Sequence, residues 1–137
     1  MKNTIKTENA PAAIFIIDLD NLKIVIDTLG HRQGDQLIKE AAGLLDANSR
    51  ENLYVSRVGG DEFAILMINT SIVKVEELFQ SIQRDIARYN GESQGIEIHM
   101  SIGYAYGEQS FGNMESLYVE ADRKMYEDKV SRKSMAS

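Results

Sequence analysis

An α+β domain with a mainly antiparallel central sheet covered by helices is the fold class this sequence predicts, in an arrangement related to the ferredoxin-like folds. Three observations carry that expectation. A near-continuous apolar run at 12–17 has the character of a central strand covered on both faces. Two short strand-like runs, 53–56 and 63–68, flank a Gly-Gly turn and make a hairpin. Stretches of helical periodicity stand between and after these runs, giving the order strand, helix, helix, strand, turn, strand, helix, strand, helix.

The chain has 137 residues, enough for one compact domain with a real core and too few for two. Apolar residues at 43% and charged residues at 26%, with one proline and ten glycines, are ordinary for a globular domain and argue against disorder away from the ends. Cysteine is absent, which rules out disulfides and thiolate metal sites. A net charge of −6 argues against broad nucleic-acid binding, where a basic surface supplies the affinity. No apolar segment reaches membrane-spanning length and residues 1–12 lack the apolar core of a signal peptide, so a soluble, cytoplasmic chain is expected.

Residues 1–11 are polar and aperiodic and read as a flexible lead-in to a domain at 12–133, with 134–137 as a frayed tail. The first strand ends abruptly in Asp18-Leu19-Asp20-Asn21, where carboxylates and free backbone amides could meet a ligand, or where Asp20 or Asn21 could simply cap a helix. That helix carries Leu22, Val25, Ile26 and Leu29 on one face and ends at Gly30. His31-Arg32-Gln33-Gly34-Asp35 reads as a connection into a second helix bearing Leu37, Ile38, Ala41, Leu44 and Leu45, with Asp35 near its start.

After the hairpin, Thr70 or Ser71 caps a long helix with Val75, Leu78, Phe79, Ile82, Ile86 and Tyr89 inward, stopped by Asn90-Gly91-Glu92-Ser93. Ile96, Ile98, Met100 and Ile102 alternate as a strand that continues through Gly103-Tyr104-Ala105. A polar loop at 108–113 leads to a last helix with Met114, Leu117, Tyr118, Ala121 and Met125. His31 reads as a turn residue, since His99 lies in a distant strand and nothing completes a metal site around either.

The chemistry-bearing stretch is Arg57-Val58-Gly59-Gly60-Asp61-Glu62-Phe63. Adjacent carboxylates on a rigid hairpin could seat a divalent cation; ordinary solvent-exposed turn chemistry would give the same pattern. Lys124, Lys129, Arg132 and Lys133 concentrate positive charge near the C-terminus, which suits a small phosphorylated ligand or a solvated helix face.

Taken together, these blocks resemble the GGDEF domain family, the diguanylate cyclases. Gly59-Gly60-Asp61-Glu62-Phe63 is the family signature, preceded by the usual arginine at Arg57. Asp18-Leu19-Asp20-Asn21-Leu22-Lys23 resembles the family's strand-to-helix segment, with leucine where phenylalanine is usual at Leu22. The run from Asp27-Thr28-Leu29-Gly30-His31 to Gly34-Asp35, then Ser101-Ile102-Gly103, then Ala121-Asp122 with Tyr126 and Lys129, match later blocks in the right order.

The resemblance implies a nucleotidyl-cyclase-type fold that binds GTP with magnesium or manganese. Two such domains would meet as a transient homodimer and join two GTP into cyclic di-GMP with release of pyrophosphate. It assigns metal binding to Asp18, the Leu19 carbonyl and Asp61, activation of the attacking hydroxyl to Asp61, and assistance to Glu62. Phosphate contacts fall to the amides around Asn21 and Leu22 and to Lys23, Lys129 and Lys133, the last replacing a common arginine.

Guanine recognition falls to Asp35 and to a position where the family carries asparagine and this chain has Ile26. An isoleucine there leaves part of the base edge unpaired, at about 1–3 kcal/mol or about ten- to a hundredfold in affinity. An Arg-x-x-Asp product-inhibition site is expected to be missing, because Arg50-Glu51-Asn52-Leu53 ends in leucine. The family's usual N-terminal segment is also missing, so attachment to a regulatory domain of a longer signalling protein is expected. The alternative is a degenerate, non-catalytic GTP-binding or regulatory interaction domain.

Overall fold

The computed structural model describes residues 9–93, 95–110 and 112–136. Its elements are β1 (Ala12–Leu19), α1 (Leu22–Leu29), α2 (His31–Asp46), β2 (Leu53–Arg57), β3 (Glu62–Ile68), α3 (Ile72–Glu92), β4 (Met100–Gly107) and α4 (Met114–Ala136). The strands form one antiparallel sheet in the order β2-β3-β1-β4, so the expected α+β class is what the chain adopts.

The period-two pattern of the strands divides the apolar side chains between two faces. Phe15, Ile17, Phe63, Ile65 and Ile102 point into the larger core, which α1, α2 and α3 close with Leu22, Val25, Leu37, Leu45, Leu78 and Ile82. Ile14, Ile16 and Ala105 point the other way, against Leu117, Ala121 and Met125 of α4. Ser71 caps α3 by accepting from the Lys74 amide at 3.3 Å.

α4 lies unusually close to β4. A Cβ placed on Gly103 would stand 2.1 Å from the Met125 backbone nitrogen and 2.2 Å from the Ala121 carbonyl oxygen. Only a residue without a side chain permits that approach.

Several boundaries differ from the sequence expectation. The segment 31–35 is helical, not a connection: α2 begins at His31, and Gly34 is buried where Ile26 packs on it, with Ile26 Cγ1 2.5 Å from where a Cβ would be. Residues 96–99 precede β4 instead of forming its first half, so His99 is not in a strand. Ile98 is nonetheless fully buried. The Asn90 side chain takes the role of a neighbouring strand, donating to the Ile98 carbonyl at 2.9 Å and accepting from its amide at 2.8 Å.

α3 ends at Glu92 with Ser93 as its C-cap, within the expected stop at Asn90-Gly91-Glu92-Ser93. α4 continues to Ala136, beyond the expected end of the ordered domain at Lys133. Residues 1–8 of the expected lead-in and Ser137 of the expected tail lie outside the described residues, while the Pro11 carbonyl accepts from the Asn69 amide at 2.7 Å. No helix among the described residues is long and apolar enough to cross a membrane.

Candidate active site

The site forms where three strand ends meet. Asp18, next in the β1 alternation after Ile16, lies on the face covered by α4 and is 7% exposed. Its cross-strand partners are Glu62 on β3 and Ser101 on β4. The Leu19 amide donates to the Asp61 carbonyl at 2.7 Å, which ties the end of β1 to the hairpin tip.

The tip itself is held from within. Arg57 Nε donates to the Gly59 carbonyl at 3.0 Å and its Nη2 to the Gly60 carbonyl at 2.8 Å, while the Val58 amide donates to the Glu62 carbonyl at 2.8 Å. Arg57 is thus the residue that shapes the loop presenting Asp61. Phe63 anchors it from below at 1% exposure.

Lys129 reaches across from α4 and donates to Asp18 Oδ2, with Asp20 Oδ1 3.9 Å away. Ser101 Oγ donates to Asp20 at 2.7 Å and 2.9 Å to its two oxygens. Asp20, a candidate cap in the sequence, therefore turns to β4, and Asn21, the N-cap, makes no side-chain cap. Asn21 Nδ2 instead donates to the Glu97 carbonyl at 2.8 Å. The first amides of α1 thus receive no side-chain cap from their own helix, which leaves them able to meet an anion.

The carboxylates crowd one another. Burial, then the charge of Asp18 and a hydrogen bond with it, hold the Asp61 carboxyl above its ordinary value. Burial, then the charges of Asp122, Asp18 and Asp61, raise Glu62. Burial raises Asp20 and outweighs the Ser101 hydrogen bond. Lys129 is drawn down by burial, but its hydrogen bond to Asp18 and the charges of Asp18, Asp20 and Asp61 outweigh this and keep it firmly protonated.

This surplus of hard, negatively charged oxygen fits a divalent cation. Among the described residues no three His, Cys, Asp or Glu side chains converge enough to enclose one. Magnesium seldom needs such a cage, since it takes one or two carboxylates and completes its shell with phosphate and water.

Beside Asp61 runs an open groove of about 260 Å³ lined by Leu22, Lys23, Ile26, Asp27, Gly60 and Asp61. The structure thus brings Asp18, Leu19, Asp61, Glu62 and Lys129 to one place, with Leu22, Lys23 and Ile26 adjoining. Lys23 is exposed and paired with Asp27 at 3.0 Å. Asp35 is exposed on α2, one residue beyond the Gly34 that Ile26 covers, and does not line the groove. Lys133 is exposed one turn beyond Lys129. Sequence reasoning flagged Asp20 as a possible ligand-facing carboxylate or cap but missed the parts of Ser101 and Asp122, whose only signal was their place in quoted blocks.

The family model described as "Diguanylate cyclase, GGDEF domain" matches residues 1–135. A probable diguanylate cyclase of Escherichia coli, DgcT, is 29% identical over 126 residues, covering 89% of this chain and 28% of that protein. Diguanylate cyclase A of Treponema denticola is 30% identical, covering 85% of this chain and 32% of that protein. The chain therefore spans about a third of the length of these curated relatives. The solved structure of the active GGEEF domain of a diguanylate cyclase from Vibrio cholerae superposes with a TM-score of 0.77 at 26% identity, covering 89% of this chain and 78% of that one. By signature, fold and similarity across nearly its whole length, the chain belongs to the GGDEF domain family of diguanylate cyclases.

Proposed function

We propose that this domain binds GTP with magnesium or manganese and, paired transiently with a second copy, condenses two GTP into cyclic di-GMP. The observation that carries this reading is the meeting of Asp18 and Asp61, locked by the Leu19 amide, at the end of a groove walled by the start of α1. The GGDEF domain of DgcB from Caulobacter crescentus, 26% identical to this chain with a TM-score of 0.75, has been solved in complex with c-di-GMP.

A bound cation would neutralise phosphate charge and polarise the reacting phosphorus. Asp18, Asp61 and the Leu19 carbonyl would hold it. The amides at Asn21 and Leu22 would receive phosphate oxygens, with Lys23, Lys129 and Lys133 supplying positive charge. The 3′-hydroxyl of one GTP attacks the α-phosphorus of the other: a P–O bond forms, the bond to pyrophosphate breaks, and the hydroxyl proton passes to Asp61. A second such step closes the ring. Glu62, its charge opposed by Asp18 and Asp61, would assist at the cation.

The alternative reading is a GTP-binding regulatory domain without turnover, in the cytoplasm as part of a longer signalling protein. Ile26 favours it, because an apolar side chain lines the groove where a base edge would need a hydrogen-bond partner. Calorimetric titration with non-hydrolysable GTP and ATP analogues, with and without magnesium, tests both. Magnesium-dependent binding that prefers GTP supports the nucleotide site, and product formation in an enforced dimer then separates the readings. No binding of either analogue at millimolar concentration would sink both nucleotide-binding readings and leave a degenerate protein-interaction domain.

A further inference from the structure

β4 is an edge strand, so alternate amides along it face no neighbouring strand. One of these, the amide of Ile102, donates to Asp128 Oδ2 on α4 at 2.9 Å. The same oxygen accepts from Arg132 Nε at 3.0 Å, one turn further along the helix. The next residue, Lys129, holds Asp18 on β1. Adjacent residues of α4 therefore grip adjacent strands, and they do so at the level where Asp18 pairs with Ser101. The apolar packing of α4 on the sheet ends a turn earlier, at Met125. Beyond that point, polar contacts decide where the helix lies.

We propose that Asp128 is a positioning residue for the site: its carboxylate, anchored on the Ile102 amide and braced by Arg132, sets the part of α4 from which Lys129 reaches Asp18. This rests on the reading of Lys129 as the cation that faces substrate phosphate. Without the anchor, the helix past Met125 loses its bond to the β4 backbone at Ile102, and the Lys129 ammonium loses its fixed place over the carboxylates. A displacement of about an ångström is enough to cost a positioned group most of its effect.

The test compares three variants of the purified domain. Asp128→Asn keeps an acceptor at the same reach without charge; Asp128→Glu keeps the charge and moves it by a methylene; Asp128→Ala removes both. Alanine is the better helix former, so the helix itself survives the last change. Two readouts are taken: the side-chain ammonium signal of Lys129 in ¹⁵N-lysine-labelled protein without nucleotide, and the magnesium-dependent affinity for the GTP analogue.

The expected result is a shifted or exchange-broadened Lys129 signal and about tenfold weaker binding in Asp128→Ala and Asp128→Glu, with Asp128→Asn close to the parent. An unchanged Lys129 signal in Asp128→Ala would overturn the proposal. So would a normal Asp128→Glu beside a defective Asp128→Asn, since the role would then be one of charge. Should the parent domain bind no analogue, the nucleotide reading fails, while the Lys129 signal still decides whether Asp128 positions it. Where Asp128→Ala is unfolded by circular dichroism, the Asn and Glu pair makes the same distinction.

Discussion

Replacing Gly103 with alanine drives a methyl group into the backbone of α4. The new Cβ would stand 2.1 Å from the Met125 nitrogen and 2.2 Å from the Ala121 oxygen, the donor and acceptor one helical turn apart, and 2.7 Å from the Lys124 carbonyl carbon. Restoring even a 3.4 Å contact from 2.1 Å requires α4 to recede by about 1.3 Å. No flexible side chain can absorb this, because every atom in the way is backbone.

Leu117, Ala121 and Met125 would be lifted from Ile14, Ile16 and Ala105, and overpacking of this kind costs about 1–3 kcal/mol. For a domain of this size that lowers the melting temperature by roughly 4 °C per kcal/mol. Lys129, one turn beyond Met125, would be carried away from Asp18. Urea denaturation should show the loss of stability, and calorimetry a loss of magnesium-dependent analogue binding larger than that of an equally destabilised core variant such as Ile65→Val. Gly103→Ala with stability within about 0.5 kcal/mol of the parent and unchanged affinity would refute the close packing on which the placement of Lys129 depends.

Ile26→Asn should raise affinity for the GTP analogue about tenfold, with a smaller change for the ATP analogue; equal gains for both would show that position 26 does not face the base. Asp61→Asn should abolish the magnesium dependence of nucleotide binding and at the same time raise the melting temperature of the metal-free domain, because it relieves the repulsion from Asp18. Asp61, Glu62 and Asp20 take up protons more readily in the native state than in the unfolded chain. Metal-free stability should therefore fall as pH rises from about 4 through their raised values, and magnesium, which needs the ionised forms, should restore more of it above that window; a melting temperature that rises with pH over this range without metal would contradict the assignment. Cyclic di-GMP should not inhibit an enforced dimer by way of Arg50, since Leu53 is a core residue at 5% exposure; dose-dependent inhibition abolished by Arg50→Ala would show otherwise.

Much of the fold was legible because α1, α2, α3 and β3 carry clean periodicities and β1 is a continuous apolar run, and the errors have specific physical causes. The alternation at Ile96, Ile98, Met100 and Ile102 reports which side chains are buried, and Ile98 is buried without strand pairing because Asn90 satisfies its backbone. Gly34 looked like a turn residue, yet its smallness serves contact with Ile26 inside a helix. At the site, Asp18 and Asp61 are far apart in sequence, and only the match to a known pattern joined them. Asp128 was illegible altogether: four residues before Arg132, it has the spacing of an ordinary surface ion pair, and its bond to Ile102 depends on β4 lying at the sheet edge.

The electrostatics also bear on which function the site was shaped for. A fold selected only for stability would not gather Asp18, Asp20, Asp61 and Glu62 at one strand end, where Asp20, Asp61 and Glu62 are each held above their ordinary proton affinity. Lys129 relieves part of that crowding and is itself held to Asp18. The remaining repulsion would be offset by a cation arriving with a polyphosphate, and this step is common to the cyclase reading and to the regulatory one. They diverge in the groove beyond, at Ile26, where a hydrogen-bonding edge would meet an isoleucine side chain. On either reading the carboxylates and Lys129 would act on metal and phosphate, whereas Ile26 would bear only on the base, so the two functions would be told apart by base selectivity and turnover and not by metal-dependent capture of the polyphosphate.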